Sequence, residues 1–281
     1  MNNEKYYCGA IAIIGQPNTG KSTLLNKLIG EKISIISKKL HTTQKCVKGI
    51  QTNGCYQSIY IDTPGIKNKK YYVTNLIQKK IEQTIYNADL VIFVISNIIW
   101  NIHDSLILKK IKKNANNVIL VINKIDTIKN KNILLPYINF VSKQFSFIEI
   151  LFISSKTGEN IEYLSKIVQQ NIPKALHQFN KCQITDNTQN FMISEIIREK
   201  IIYFLRNELP YIIEIMVKQI KTTKNKIIIN AIIFVKNINQ KKILIGNKGE
   251  KIKLFSILSR KTLEIKFKMK VSLYLWIQIK T

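Results

Sequence analysis

Two periodicities alternate along the first 170 residues. Apolar runs at Gly9–Ile14, Cys46–Thr52, Tyr56–Asp62, Leu90–Ile95, Val118–Asn123 and Ile148–Ser154 have the length and β-branched content of buried strands. Between them, apolar residues return every three or four positions in Lys21–Ile29, Val73–Tyr86, Asp104–Lys113, Leu134–Phe145 and Ile161–Gln170, which predicts helices. Thr52-Asn53-Gly54 marks a hairpin turn between the second and third strands. One hairpin inside a βα alternation implies an α/β domain with a mostly parallel sheet and helices on both faces. Ligands of such sheets sit at the carboxyl ends of the strands.

The pattern changes after Pro173. Residues 174–190 are mixed and polar and are expected to form a linker. Phe191, Ile193, Ile196, Ile197, Ile201, Phe204 and Leu205 then recur at helical spacing, in a helix expected to end near Leu209-Pro210. Strand-like runs follow at Ile212–Ile220 and Lys226–Val235, a helix at Lys251–Ser259, and a last strand at Val271–Ile279. The order is α-β-β-α-α-β, an α+β unit with Gly246-Asn247-Lys248-Gly249 between its two central helices. The expected organisation is a first domain over 1–173, a linker over 174–190 and a second domain over 191–281.

Composition adjusts this picture in two ways. The 281 residues carry a net charge of +27, and residues 176–281 hold 20 of the 44 basic but only 7 of the 17 acidic side chains. An excess of that size suits a polyanion, either nucleic acid or an anionic membrane surface. The chain is also rich in Ile, Lys and Asn throughout, so part of the excess is compositional drift. Cys8, Cys46, Cys55 and Cys182 are scattered, without disulfide or zinc spacing, and read as reduced thiols of a cytosolic protein. Met1–Tyr7 lacks the apolar run of a signal peptide, and no apolar stretch is long enough to span a bilayer.

The candidate chemistry falls where the strands end. Gly15-Gln16-Pro17-Asn18-Thr19-Gly20-Lys21-Ser22 follows the first strand and opens the first helix, with Thr23 next. It fits the phosphate-binding loop G-x-x-x-x-G-K-[ST]. Its glycines let backbone N–H groups face phosphate, Lys21 would bridge the outer phosphates and Ser22 would hold Mg²⁺. Asp62-Thr63-Pro64-Gly65 ends the third strand, with Asp62 placed to support Mg²⁺ and the Gly65 N–H to meet a γ-phosphate. Asn123-Lys124-Ile125-Asp126 ends the fifth strand. The Asp126 carboxylate can accept from both N1–H and N2–H of guanine, and adenine offers neither donor there. Asn123 would tie loops together and the Lys124 stem would cover the base. Ser154-Ser155-Lys156 ends the sixth strand, where GTPases often carry S-A-K. Thr42 and Thr43 lie in a polar loop and are both candidates to close over Mg²⁺ and γ-phosphate, Thr43 being assigned to the metal. Lys21, Asn18, Thr42, Thr43 and Gly65 form the candidate catalytic set. Many GTPases place a water-orienting Gln after D-x-x-G, and here that position is Ile66, so slow intrinsic hydrolysis is expected. In related GTPases with P-N-x-G-K-S, the residue at Asn18 resembles a K⁺ ligand, and K⁺-stimulated hydrolysis is a second expectation.

In the second domain, an apolar run precedes Gly246–Gly249 and a basic helix follows. That setting suits a KH loop, which clamps four nucleotides of RNA against a helix N-terminus. Ile245, Gly246, Asn247, Lys248, Gly249, Lys251 and Lys253 are the candidate RNA contacts.

The P-loop, D-T-P-G, the stretch Ile184–Lys200, Glu208-Leu209-Pro210-Tyr211 and Ile245–Lys253 together resemble the Era family of bacterial ribosome-assembly GTPases from about Cys8 to Gln278. The resemblance implies a P-loop GTPase domain followed by a type II KH domain. It also implies GTP and GDP binding with Mg²⁺, a monomer that binds the 3′ end of 16S ribosomal RNA, and a role in maturing the 30S subunit. It further implies a cytoplasmic protein with peripheral association to the inner membrane. Two departures stand out: Gln44 occupies a position where the family often has Arg, and the chain stops at Thr281, where many members carry a further helix. Two other readings compete, a membrane-surface signalling GTPase and a constitutive RNA scaffold with an inert nucleotide site.

Overall fold

The computed structural model describes residues 5–36, 46–66, 75–96, 98–115, 117–128, 131–205 and 213–280. Apart from the segment 35–42, which groups with the second, the chain divides into two compact units, the first running to Asp186 and the second beginning at Asn187.

The first unit contains β1 (Tyr7–Gly15), α1 (Lys21–Ile29), β2 (Val47–Asn53), β3 (Tyr56–Asp62), α2 (Asn75–Tyr86), β4 (Leu90–Ser96), α3 (Ile102–Asn114), β5 (Val118–Asn123), α4 (Leu134–Ser142), β6 (Glu149–Ile153) and α5 (Ile161–Gln170). The sheet order is β2-β3-β1-β4-β5-β6, with β2 antiparallel to β3 and the other pairs parallel. β4 and β5 are buried along almost their whole length, as strands covered on both faces must be. On one face, Ile81 and Ile85 of α2 and Ile107, Leu108 and Ile111 of α3 pack with Val91, Phe93 and Leu120 of the sheet. α1 and α5 lie over β1–β3 on the sheet's other side. α4 stops at Ser142, short of the expected Phe145, because Gln144 N–H closes onto the Val141 carbonyl in a tighter turn.

Register places the chemistry. Ile13 pairs with Asp62, Gly15 with Val94, Ser96 with Asn123, and Asn123 with Ile153. The carboxyl ends of β1, β3, β5 and β6 therefore come out along one edge, and each of the four motifs begins there. The phosphate loop follows β1, which has β3 on one side and β4 on the other. That reversal of strand order opens a crevice in this kind of sheet.

Residues 174–186 of the expected linker are bound to the first unit. Tyr7 bridges Lys174. The fully buried Gln57 accepts from the N–H groups of Gln178 (2.8 Å) and Phe179 (3.0 Å) and donates to the Phe179 carbonyl (2.9 Å). Further on, Ile50 N–H donates to the Ile184 carbonyl (2.8 Å). Thr185 Oγ1 donates to the Lys48 carbonyl (2.7 Å), and Lys48 pairs with Asp186 at 2.9 Å. The strap thus covers backbone groups of β2, an edge strand whose outer side would otherwise be open.

The second unit contains α6 (Gln189–Phe204), β7 (Glu214–Thr222), β8 (Lys226–Val235), α7 (Ile238–Ile245), α8 (Glu250–Phe267) and β9 (Lys270–Ile279). Its sheet order is β7-β8-β9, with β8 and β9 parallel. Ile193, Ile197 and Ile201 of α6, Leu244 of α7 and Phe255 and Leu263 of α8 form one core with Ile229, Ala231 and Ile233 of β8. α8 runs well past the expected Ser259, because Leu263 continues the buried stripe begun by Phe255. α6 ends at Phe204, short of the expected Leu209-Pro210, because Leu205 turns to an extended backbone and its N–H closes onto the Ile201 carbonyl; Glu208–Tyr211 lie outside the described residues.

Candidate functional site

The phosphate loop is held by its own backbone and by its neighbours. The Gln16 carbonyl accepts from Thr19 Oγ1 (2.9 Å) and from Lys21 Nζ (2.8 Å). Lys21 is only 6% exposed. Burial pulls its pKa down to about 8, against the opposing pull of the Asp62 carboxylate. Ser22 Oγ donates to Asp62 Oδ2 at 2.6 Å, and Ser34 Oγ reaches the same oxygen at 3.1 Å. A hydroxyl beside a buried carboxylate is a hard-oxygen donor set, and it fits Mg²⁺. Thr63 Oγ1 donates to the Ile13 carbonyl (2.9 Å), and Ile66 N–H donates to the Gly15 carbonyl (3.3 Å), so the segment after β3 is tied back to β1 and the loop. Pro64 and Gly65 are buried there. A Cβ on Gly65 would stand 2.7 Å from the Pro17 Cα, so the close approach of the two segments requires glycine. Asn18 is exposed, with φ of 65°, and Thr23 lies partly buried in the first turn of α1.

The base-reading end is equally connected. Asn123 Nδ2 donates to the Thr19 carbonyl (2.8 Å), while its Oδ1 accepts from Lys124 N–H (2.8 Å) and Ser155 N–H (3.0 Å). One buried side chain therefore joins the phosphate loop, the N-K-I-D turn and the S-S-K loop. Lys124, at φ of 67°, sends Nζ to the Asn18 carbonyl (2.7 Å). Asp126 is exposed and accepts from Ser154 Oγ (2.7 Å), which leaves its other carboxylate oxygen for a ligand. The Ser155 side chain is buried, and its hydroxyl has no partner among the described residues. Lys156 is exposed. Thr42 and Thr43 lie outside the described residues, as does Gln44. Ile66 is partly buried against the core of α2, α3 and the sheet.

Two supports were not visible in the sequence. Gln16 Nε2 donates to Asp104 Oδ1 (2.6 Å) and Asn101 Oδ1 (2.9 Å) at the start of α3. Asn101 and Asp104 also cap each other's backbone N–H groups. The N-x-x-D spacing signals that cap, but nothing local joins it to Gln16. Burial raises the Asp104 pKa, and the Gln16 amide opposes the rise. A cavity of about 250 Å³ beside the phosphate loop is lined by Gln16, Pro17, Thr19, Ser96, Asn101 and Asp104 among others. The second support is Asn26, which accepts from the N–H groups of Ile33 and Ser34 (2.9 Å each) and so carries Ser34 to Asp62.

In the second unit, the loop between α7 and α8 adopts a backbone few side chains tolerate. Gly246, Lys248 and Gly249 have φ of 74°, 46° and 81°. A Cβ on Gly246 would collide with the Lys251 side chain, whereas one on Gly249 would meet nothing within 4 Å. Gly249 therefore fronts open space at the N-terminus of α8. Asn247, Lys248, Lys251 and Lys253 are exposed around it, and Ile245 anchors the loop to the core. A polyanion backbone can approach there closely, against helix N–H groups and lysines.

Comparison with known proteins gives a family match in each unit. Residues 10–124 match the family described as 50S ribosome-binding GTPase, and residues 192–281 match the KH domain family. The chain is 48% identical to GTPase Era of Buchnera aphidicola subsp. Acyrthosiphon pisum, with both chains covered in full. It is 44% identical to GTPase Era of Cronobacter sakazakii over 100% of this chain and 94% of the relative. It superposes on a single-residue variant of Aquifex aeolicus Era bound to GDP and AlF4⁻ with a TM-score of 0.92 and 35% identity, covering 98% of this chain and 94% of that one. The same score and identity relate it to an Era structure in complex with MgGDPNP and nucleotides 1506–1542 of 16S ribosomal RNA.

Proposed function

Because this chain belongs to the Era family of GTPases, we propose that it is a guanine-nucleotide switch that takes the 3′ end of 16S ribosomal RNA in its KH unit and serves maturation of the 30S subunit. It is an enzyme that converts GTP to GDP and phosphate. The observation that carries the reading is a connected nucleotide site and an open G-x-x-G loop in one chain. Gly15–Thr23 take the phosphates, Asp126 takes the guanine edge, and Asn123 holds the two ends of the site together. Ser22 and Asp62 would hold Mg²⁺, with Thr43 as a further ligand. Held there, the ion would neutralise charge on the outer phosphates. Lys21 would leave the Gln16 carbonyl for a phosphate oxygen, and the Gly65 N–H would meet the γ-phosphate. No side chain at Ile66 can orient water, and Asn18 would hold K⁺, which would supply the charge that an arginine supplies elsewhere. Ile245–Gly249, Lys251 and Lys253 grip the RNA backbone.

The protein acts as a cytoplasmic monomer, and its basic excess also suits peripheral contact with the inner membrane. No helix among the described residues is long and apolar enough to cross one. The test is GTP turnover with and without the 16S 3′-end strand, in K⁺ and in Na⁺. Turnover that rises with the strand and is faster in K⁺ is expected. Equal turnover in the two salts removes the K⁺ assignment, and equal RNA affinity of the GTP and GDP forms removes the switch. Gly249→Asp removes RNA binding through the G-x-x-G loop on this reading, while a membrane-signalling GTPase would keep its lipid association.

A further inference from the structure

The sheet of the second unit has two unlike faces. α6, α7 and α8 pack on the face that carries Ile229, Ala231 and Ile233. The residues between these point the other way. There, Met216 of β7 stands opposite Ile232 of β8, which stands opposite Trp276 of β9, forming one row across all three strands. The next row is Gln219, Asn230 and Tyr274, and the next is Lys221, Ile228 and Ser272. Tyr274 and Trp276 are 53% and 50% exposed, and Met216 is 46% exposed. The two rings lie side by side, with centroids 6.3 Å apart and planes 26° from parallel.

From this face we infer a second RNA surface, a stacking platform for unpaired bases, separate from the G-x-x-G loop. The inference rests on the proposed RNA function and adds to it. The chemistry of the three rows is that of single-strand recognition. Aromatic rings side by side on a flat sheet take bases face-on. The amides of Asn230 and Gln219, themselves linked at 3.4 Å, stand beside Tyr274 where a base edge would lie. Lys221 ends the third row, and Lys226 and Lys270 are paired in register and exposed at the same end of the sheet. Residues 213–280 contain 16 Lys and Arg against three acidic residues. Of those three, Glu214 is on this sheet and is already paired with Lys280 at 2.6 Å. A protein partner would be expected to meet a more balanced rim, whereas the charge here complements phosphate.

The experiment compares two RNA probes on the full-length protein with Mg²⁺ and GTP: a tetranucleotide from the 16S 3′ end, and the whole 1506–1542 segment. The tetranucleotide fits the G-x-x-G clamp alone. Stacking is worth about 5- to 150-fold per base, so Trp276→Ala should weaken the long strand roughly tenfold and leave the tetranucleotide unchanged within about twofold. Tyr274→Ala/Trp276→Ala should weaken it further, and Trp276→Phe should restore most of the loss. Gly249→Asp should remove the tetranucleotide and leave residual long-strand binding that depends on Trp276. Thermal melts of the variants report whether folding is intact. Photocrosslinking of a 4-thiouridine long strand should label the β9 peptide. A folded double variant that binds the long strand as tightly as wild type overturns this inference and leaves the G-x-x-G reading standing. Loss of binding to anionic phospholipid vesicles with RNA affinity unchanged overturns it in favour of a lipid-facing surface. If wild type binds neither RNA, the proposed RNA function falls and this inference with it.

Discussion

At the residue scale, Lys21 has the most direct consequence. Its ammonium is buried beside Asp62 with the Gln16 carbonyl as its hydrogen-bond acceptor, and its pKa is lowered to about 8 from the usual 10.5. A lowered lysine pKa in the folded state means that the charged form is penalised there. The penalty is full below pH 8 and fades as pH rises from 8 toward 10.5, because the unfolded chain binds more protons in that window. Phosphate oxygens supply the missing counter-charge and raise the pKa again. Nucleotide binding should therefore take up a proton above pH 8, and GTP affinity should be flat below that pH and fall above it, by up to about tenfold per unit. Calorimetry in buffers of different ionisation enthalpy measures that uptake directly. Affinity that stays flat to pH 10 would place the lysine in a solvated site instead. Lys21 was legible in the sequence because phosphate chemistry is written in eight consecutive residues. Gln16's link to Asp104 was not, because 88 residues separate the partners and only the β1–β4 pairing brings them together.

At the element scale, periodicity located the strands and helices because burial on one or two faces leaves a repeating signature. It failed where burial does not repeat. The strap over residues 174–186 reads as a polar linker, since its bonds are made by backbone groups and by Gln57, Thr185 and Asp186. The strap has a mechanical implication. β2 follows Thr42 and Thr43 closely in sequence, and Lys48 and Ile50 of that strand bind residues 184–186. Only Asn187 and Thr188 separate Asp186 from α6. A shift of β2 with the nucleotide state would pull directly on the chain entering the KH unit. Asp186→Lys places a like charge against Lys48, and the pair is partly exposed, so stability should change by less than about 1 kcal/mol. The expected result is a smaller ratio between the RNA affinities of the GTP and GDP forms, with GTP turnover unchanged in the absence of RNA. An unchanged ratio would show that the strap carries no signal.

At the scale of the whole molecule, the difficulty is to separate charge that has a site from charge that has none. Lysine is abundant in both units, and drift-derived lysines attract any polyanion. Salt distinguishes the two. A clamp on about four phosphates gives a single-strand slope of about −3 in log affinity against log salt, so affinity should fall by roughly 50-fold between about 50 and 200 mM. Diffuse lysines steepen that slope equally for any sequence. The G-x-x-G loop acts differently, because Gly249 opens space for one backbone path against the N-terminus of α8. Gly249→Asp removes that path and leaves every lysine in place. It should lower affinity for the 16S 3′-end strand to the level of a scrambled strand of equal length, while the salt slope of the scrambled strand stays as it was. GTP affinity should change less than about threefold over the same salt range, since Lys21 and Asp62 are shielded by burial. If the two strands already bind wild type equally, charge alone accounts for the binding and the loop confers no selectivity.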